Sequence, residues 1–349
     1  RTALGQDKRP WSVHFNIPIF IPHLGCPFQC IYCNQKYISG IKNPPDLAEV
    51  HAIIRQKLST INGQGARVEV AFFGGSFTCL SLEEQRNYLE AVQPYIAENK
   101  INGIRISTRP DFIDDEKLQM LKKFQVQTIE LGVQSMNDST LKKIHRGHNA
   151  ADVRNAANMI KKHGIALGIQ TMVGLPGEDS AMELNTAREV IAMQPDCMRI
   201  YPLLVLQDTN LEQWHARGKY MPLALPEAVE RVAAILEMYI ANDINVIKVG
   251  LHPSDEYAPG GKLVAGPFHP SFREMAMTIV WKRNFVQHLL PGQKAGSQQD
   301  IIIMVADSQY NYAIGYKSEN KDYLKQYFNR VRFRRSTDMQ KLQFDVDYC

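Results

Sequence analysis

Three observations predict a partial parallel (β/α) barrel of the TIM type with a small C-terminal α+β appendage. Short, near-continuous apolar runs alternate with longer stretches of helical period from about residue 14 onward. The runs are bounded by Gly, Pro and Asn, and the alternation stops near residue 265. Strands buried on both faces read as unbroken Ile, Val and Phe runs, which is what a parallel sheet covered by helices requires. Six or seven such strand-then-helix units in succession fit an incomplete barrel better than a doubly wound open sheet.

The runs are FNIPIFIP (15–22), RVEVAFFGG (67–75), GIRISTR (103–109), TIELGVQS (128–135), IALGIQTMVGL (165–175), CMRIYPLLV (197–205) and INVIKVGL (244–251). Between them lie helical patterns. EAVERVAAILEMYI (227–240) places Val229, Val232, Ala233, Leu236 and Ile240 on one stripe, the spacing of an amphipathic helix. DSTLKKIH opens with an acidic residue and Ser139–Thr140, signals of a helix start. Beyond the barrel, 270–290 reads as a helix, 291–297 as a turn and 317–328 as a helix, with DIIIMVADSQ between them and the basic stretch RVRFRRSTD at 330–338. The domains are therefore drawn as a barrel over 1–265 and an appendage over 266–349.

Composition narrows the class. Hydrophobic residues make up 44% and charged residues 22% of 349 residues, the balance of a globular protein with a sizeable core. No apolar run has the length of a membrane span, and no h-region marks a secretory signal at the start of the chain. The start without Met suggests that leading residues are missing or processed. Six cysteines do not make a disulfide scaffold, and Cys79, Cys197 and Cys349 are scattered, so a cytoplasmic, reducing compartment is expected. The net charge of +4 permits an anionic partner without arguing for one.

The chemistry concentrates in PHLGCPFQCIYCNQ (22–35), where Cys26, Cys30 and Cys33 are spaced C-x3-C-x2-C on the loop after the first strand. In a (β/α) barrel, reactive groups sit at the C-terminal ends of the strands. Three thiols suit zinc poorly, since a structural zinc site takes four protein ligands. No second C-x-x-C exists, and His23 is poorly placed to complete a tetrahedron. An iron–sulfur cubane with three cysteine ligands and one free iron fits better. Zinc or inert thiols are the alternatives.

This pattern, with an aromatic before the third cysteine, resembles the radical S-adenosylmethionine (SAM) superfamily. The resemblance implies an enzyme whose [4Fe-4S] cluster chelates SAM at its unique iron. Reductive cleavage there yields a 5′-deoxyadenosyl radical that abstracts hydrogen from a substrate, with electrons from a flavodoxin- or ferredoxin-type donor. HLGCPFQCIYCNQ, AFFGGSF, RISTRPD, IELGVQS, RGH, GLPGE, VGLHPSDE and GPFHPSFRE in this order are similar to one subgroup, that of the Elongator catalytic subunit and its bacterial and archaeal relatives. The similarity runs over about 14–275. The chain departs from it in lacking a convincing R-x-x-G-x-G/A turn for an acetyl-CoA phosphate, NYAIGYKSEN being a poor candidate. No further cysteine trio supports a second cluster.

Within that resemblance, Gly74 and Gly75 bring backbone to the SAM amino group, and Ser76 stands where a Glu often lies. Ser107 and Arg109 are candidates for the ribose or carboxylate of SAM, Arg109 by a bidentate fork. Glu130, Gln134, Arg146 and Gln170 are candidates for the barrel lumen, with His148 beside them. Gly174 and Gly177 would turn near the adenine, and Tyr201 and Pro202 would flank it. Each has a plainer reading: a tight turn at the glycines, an internal salt bridge between Glu130 and an Arg, a packed aromatic at Tyr201.

Two substrate classes follow. An RNA substrate, tRNA above all, is suggested by the relatives and by the basic, aromatic-interleaved residues Lys325, Tyr327, Phe328, Arg330, Arg332, Phe333, Arg334 and Arg335. An edge strand guarded by charge is the plainer reading of that stretch. A small metabolite, as in the similar-looking oxygen-independent coproporphyrinogen oxidases, would instead meet Glu130, Gln134, Gln170, Arg199 and the His252, Asp255, Glu256 group. A non-catalytic assembly or sensing role is the weakest of the three.

Overall fold

A computed structural model describes residues 14–21, 28–33, 44–61, 66–251 and 261–349. Its elements in chain order are β1 (His14–Phe20), α1 (Leu47–Thr60), β2 (Arg67–Phe73), α2 (Leu82–Ala97), β3 (Gly103–Thr108), α3 (Asp115–Lys123), β4 (Val126–Gln134) and α4 (Asp138–Lys143). Then follow α5 (Ala150–Lys162), β5 (Ala166–Val173), α6 (Ser180–Met193), β6 (Cys197–Pro202), β7 (Val205–Leu206), α7 (Asn210–Ala216), α8 (Leu225–Ala241) and β8 (Val246–Val249). The chain closes with β9 (Leu263–Ala265), α9 (Phe272–His288), β10 (Asp300–Ala306), α10 (Tyr310–Ile314), α11 (Glu319–Leu324), β11 (Arg330–Ser336) and β12 (Phe344–Tyr348).

All seven apolar runs are strands of one sheet, in the order β1-β2-β3-β4-β5-β6-β8. Sequential order with parallel pairing, as at β1–β2, β2–β3 and β3–β4, is the signature of successive right-handed β/α units, and the fold is a partial (β/α) barrel. The chain divides into two compact units. One comprises residues up to Val133 with His145–Ile169; the other comprises Gln134–Ile144 with Gln170–Cys349. That division falls elsewhere than at residue 265.

The helices start where the sequence supplies caps. Asp46 with Glu49, Ser81 with Glu84 and Asn149 with Asp152 each form a reciprocal capping box, satisfying backbone donors that the first turn leaves free. The start of α4 differs from the sequence reading. Asn137 is its cap, accepting from Thr140 N at 3.1 Å, and Asp138 sits in the first turn. Helix α8 buries Ala228, Val229, Val232, Ala233, Ile235, Leu236 and Tyr239; of the expected stripe only Ile240 departs, being half-buried at the end of the helix. Its large apolar residues each contribute about 1.5–3 kcal/mol by burial.

At the C-terminal end, β11-β10-β12 form a three-stranded sheet whose inner face meets α9: Phe285 lies 6.2 Å from the Phe333 ring and 5.2 Å from the Phe344 ring. The helix expected at 317–328 is shorter, because Gly315, Lys317 and Ser318 all take positive φ and break the chain into α10 and α11. The basic stretch is the edge strand β11, with Arg330, Arg332 and Arg334 exposed. Its aromatic neighbours are committed to packing. Phe328 is buried, Phe333 packs on Phe285, and Tyr327 meets Tyr323 edge-on at 5.6 Å. The arginines are thus what this stretch offers a partner. No helix among the described residues is long and apolar enough to cross a membrane.

Candidate active site

In the first unit the cysteine loop leaves β1. Cys26 and His23 lie outside the described residues. Cys30 is buried and Cys33 half-buried, held in a turn by Cys33 N donating to Cys30 O at 3.0 Å. Arg146 lies against this loop, its Nη1 3.6 Å from Cys30 Sγ and its Nη2 donating to Gly132 O.

Arg109 ends β3 and is 2% exposed. Its Nε and Nη2 donate to the Asp111 carboxylate at 3.0 and 2.9 Å, and its guanidinium lies 4.5 Å over the Phe28 ring. Nη2 also donates to Arg146 O. The bidentate fork is therefore spent on Asp111, and only Nη1 is left, buried and without a partner. Ser76 is likewise tied internally, its Oγ accepting from Arg109 N at 3.1 Å and 3.0 Å from Thr108 Oγ1. Gly74, at φ +95°, brings the β2 end so close to β1 that a Cβ would stand 3.2 Å from Ile21 O. Gly75, Ser76 and Ser107 line a small cleft with Ile21, Phe73 and Leu80.

Glu130 is buried in an ion network that closes on itself. Arg105 donates to Glu130 Oε1 at 2.8 Å and reaches Glu69 Oε2 through Nε at 3.2 Å and Nη2 at 3.1 Å. His14 and Arg67 complete Glu69 at 3.1 and 3.0 Å. Burial alone would raise the Glu69 carboxyl. The His14 hydrogen bond and the charges of Arg105, His14 and Arg67 outweigh it and hold it at about 2. The internal salt bridge is thus the observed state of Glu130. Glu69 was not singled out in the sequence, although a carboxylate inside the RVEV strand carried the same signal as Glu130. Asp111 and Phe28 were missed for want of any signal beyond adjacency.

His148 is buried beside these groups, with Nε2 3.2 Å from Val133 O. A carbonyl only accepts, so Nε2 carries the proton and Nδ1 is a bare acceptor, buried without a partner. Burial first, then the Arg146 and Arg109 charges, push His148 down to about 3, so it is neutral at physiological pH.

In the second unit, Gln134 sits at φ +70° at the end of β4, and its Oε1 accepts from Gln170 Nε2 at 3.2 Å. Gly174 takes φ +84°; its N–H donates to Glu183 Oε1 at 2.7 Å and its carbonyl accepts from Tyr220 at 2.8 Å. Gly177 stands where a Cβ would meet Lys143 Nζ at 2.8 Å. Tyr201 is half-buried, its hydroxyl 3.4 Å from Arg199 Nη1, and Pro202 is buried. His252, Asp255 and Glu256 lie outside the described residues.

The described cysteines fit an iron–sulfur cluster. Cys30 lies under a guanidinium, and Arg109 Nη1 and His148 Nδ1 are buried polar atoms with no partner among the described residues, an arrangement costly unless something else satisfies them. The complete trio is not visible, because Cys26 is not described.

The sequence matches the model of the radical SAM superfamily over residues 20–190 and that of the radical SAM C-terminal domain over 195–279. The chain belongs to the radical SAM superfamily and is an enzyme of that class. Among its relatives, an uncharacterised protein of Methanocaldococcus jannaschii is 30% identical over 64% of this chain and 71% of its own length. A tRNA uridine(34) acetyltransferase of Dehalococcoides mccartyi is 27% identical over 59% of this chain and 52% of its own length. This chain therefore spans about half the length of that relative. An archaeal Elp3 from Methanocaldococcus infernus with an N-terminal deletion superposes with a TM-score of 0.60 at 22% identity, covering 78% of this chain and 64% of that one. It shows the same fold.

Proposed function

We propose that Cys26, Cys30 and Cys33 hold a [4Fe-4S] cluster, that the chain binds and reductively cleaves SAM, and that its substrate is RNA, a tRNA above all. The observation that carries the cluster is the buried Cys30 thiol against Arg146, next to buried polar atoms that no protein group satisfies. When bound, the cluster and SAM would supply a 5′-deoxyadenosyl radical able to take a hydrogen atom from the substrate. The chain's own residues hold and shield that chemistry. Arg146 sets positive charge at Cys30. Asp111 and Phe28 fix Arg109, leaving its Nη1 without a partner among the described residues. His148 offers Nδ1 as a neutral acceptor.

An RNA substrate is supported by the tRNA-acting relatives, as their names describe them, and by the exposed Arg330, Arg332 and Arg334. These occupy alternate positions of an edge strand, about 6.6 Å apart. A flavodoxin- or ferredoxin-type protein would deliver the electron.

The test is anaerobic reconstitution followed by counting iron and sulfide per chain and assaying 5′-deoxyadenosine from SAM. Cluster binding is expected in the parent and lost in Cys26→Ala, Cys30→Ala and Cys33→Ala. Zinc in the parent, or undiminished iron in all three variants, overturns the proposal. The RNA substrate is tested by the tRNA modification profile of a deletion strain, where one modified nucleoside should disappear. An unchanged profile removes that part.

A further inference from the structure

Several buried or half-buried cations among the described residues are matched by carboxylates. Arg105 lies between Glu69 and Glu130, Arg109 on Asp111, Arg231 on Glu183 and Glu227, and Arg283 on Glu230 and Glu237. Lys248 and Arg273, both in the second unit, are exceptions. Both are half-buried, and neither makes an ion pair or side-chain hydrogen bond among the described residues; Arg273 Nε is buried without a partner.

They also stand together with a third cation. Lys248 on β8 is the register partner of Arg199 on β6, so both side chains leave neighbouring strands on one face, at the inter-strand spacing of about 4.8 Å. Met198 and Ile200, on the opposite face of β6, are fully buried. The Tyr201 hydroxyl joins the exposed face of the pair, 3.4 Å from Arg199. Arg273 comes from the first turn of α9 and lies close enough for its charge to act on the Lys248 ammonium. Burial, then Arg199 and Arg273, lower that group, with Glu274 opposing.

Arg273 is also the wrong sign for its position. The first turn of a helix carries positive partial charge and favours anions. The α9 cap Ser271 makes no side-chain capping bond; the Phe272 N–H donates to His269 O at 3.1 Å, and the next donors of the first turn have no capping side chain. Lys248 and Arg273, without an ion pair among the described residues, share this positive region, which an anion would stabilise.

We propose that Arg199, Lys248 and Arg273 form a phosphate-binding site. Donors arriving from three separate elements, β6, β8 and α9, suit the several oxygens of a phosphate. The phosphate could belong to an RNA backbone or to a phosphorylated metabolite. The site goes beyond the proposed function and does not depend on which source supplies it.

The experiment is lysine footprinting of the full-length, anaerobically reconstituted protein. Acetylation of Lys248 is followed by mass spectrometry, with Lys219 and Lys262 as internal references. The probes are inorganic phosphate, glycerol phosphate and a tRNA anticodon stem-loop, each against chloride at equal ionic strength. A probe at about ten times its dissociation constant should slow Lys248 acetylation about tenfold and leave the reference lysines unchanged. Arg273→Gln should abolish that protection, while Arg273→Lys keeps part of it. A thermal melt of each variant verifies folding. Should Arg273→Gln fail to fold, Arg199→Gln serves in its place. Protection by phosphate and glycerol phosphate but not by the stem-loop supports the site and assigns it to a small phosphorylated ligand. Protection by the stem-loop alone supports the site and the RNA substrate. No protection of Lys248 by any probe, or protection that survives both neutralising substitutions, overturns the inference.

Discussion

Replacing Arg105 with Met removes a guanidinium that bridges two buried carboxylates, Glu69 and Glu130. Glu69 is held at about 2 against an ordinary 4.5, which at about 1.4 kcal/mol per tenfold amounts to roughly 3 kcal/mol of stability at neutral pH. The direction follows from the depressed value. This stability is complete above about pH 4.5 and is lost as pH falls from there towards 2. Breaking a buried pair from one side typically costs about 3–5 kcal/mol, since the remaining charge is stranded. His14 and Arg67 still serve Glu69, so the lower end of that range is expected. With about 2.1 cal/mol/K of unfolding entropy per residue, about 3 kcal/mol lowers the melting temperature of a chain of this size by roughly 4 °C.

Circular dichroism melts of the parent and Arg105→Met between pH 7 and pH 3 measure this. The gap should be largest at pH 7 and shrink on acidification, because protonation relieves the stranded carboxylates. Adding Glu69→Gln to Arg105→Met should recover part of the loss. A variant that melts within about 1 °C of the parent at pH 7, or a gap that stays constant to pH 3, refutes the reasoning.

Two further outcomes are expected. Glu178 is raised by burial to about 7, with the Ser135 hydrogen bond opposing and the Glu183 charge adding; the stability this represents is full below about pH 4.5 and is lost as pH rises through 7. Melts of Glu178→Gln should therefore show no decline across that interval, and a parent-like profile would count against the neutral, buried state of this carboxyl. Gly147→Ala would place a Cβ 2.5 Å from the Phe28 ring at φ +86°, costing about 1–3 kcal/mol by overpacking on top of backbone strain and displacing the ring beneath Arg109. Gly164→Ala, with Lys122 Nζ 3.7 Å away as its nearest neighbour, bears the backbone strain alone, so the two variants melting alike would refute the packing argument.

The fold was legible because each strand carries its own signature. The expected runs at 67–75, 103–109 and 197–205 became strands at Arg67–Phe73, Gly103–Thr108 and Cys197–Pro202, ending early where Gly, Arg and Leu turn the chain. The site was legible only in part. Spacing picks out Cys30 and Cys33, yet nothing in RISTRPD tells that Asp111 folds back to occupy Arg109, because that contact depends on the short 3-10 turn at Pro110–Phe112. For Glu130, the partner was unreadable for a different reason. Arg105 and Glu69 are its neighbours only through strand register, which local sequence does not encode. The aromatic residues near the basic C-terminal stretch were read as stacking groups, but alternation along β11 sends Phe333 inward to Phe285 and leaves the arginines outside.

Strand register also separates two kinds of buried charge in this protein, and the separation can be measured. Around Arg105 every charge meets its opposite, so neutralising one member exposes others and destabilises the fold. Around Lys248 the facing cations are Arg199 and Arg273, from β6 and α9, and the one acidic group acting on it is Glu274; removing a like charge there relieves repulsion and desolvation. Lys248→Met should therefore raise the melting temperature of the protein without added phosphate, whereas Arg105→Met lowers it. Because burial and the two arginines lower the Lys248 ammonium below its ordinary 10.5, its charge costs stability at neutral pH. The gain from Lys248→Met should accordingly shrink as pH rises towards 10.5 and the parent's lysine loses its proton. Added phosphate should stabilise the parent and not the variant, closing the difference between them. If Lys248→Met instead melts lower than the parent at pH 7, Lys248 is a structural member of the fold, and the open charge cluster has no need of a ligand.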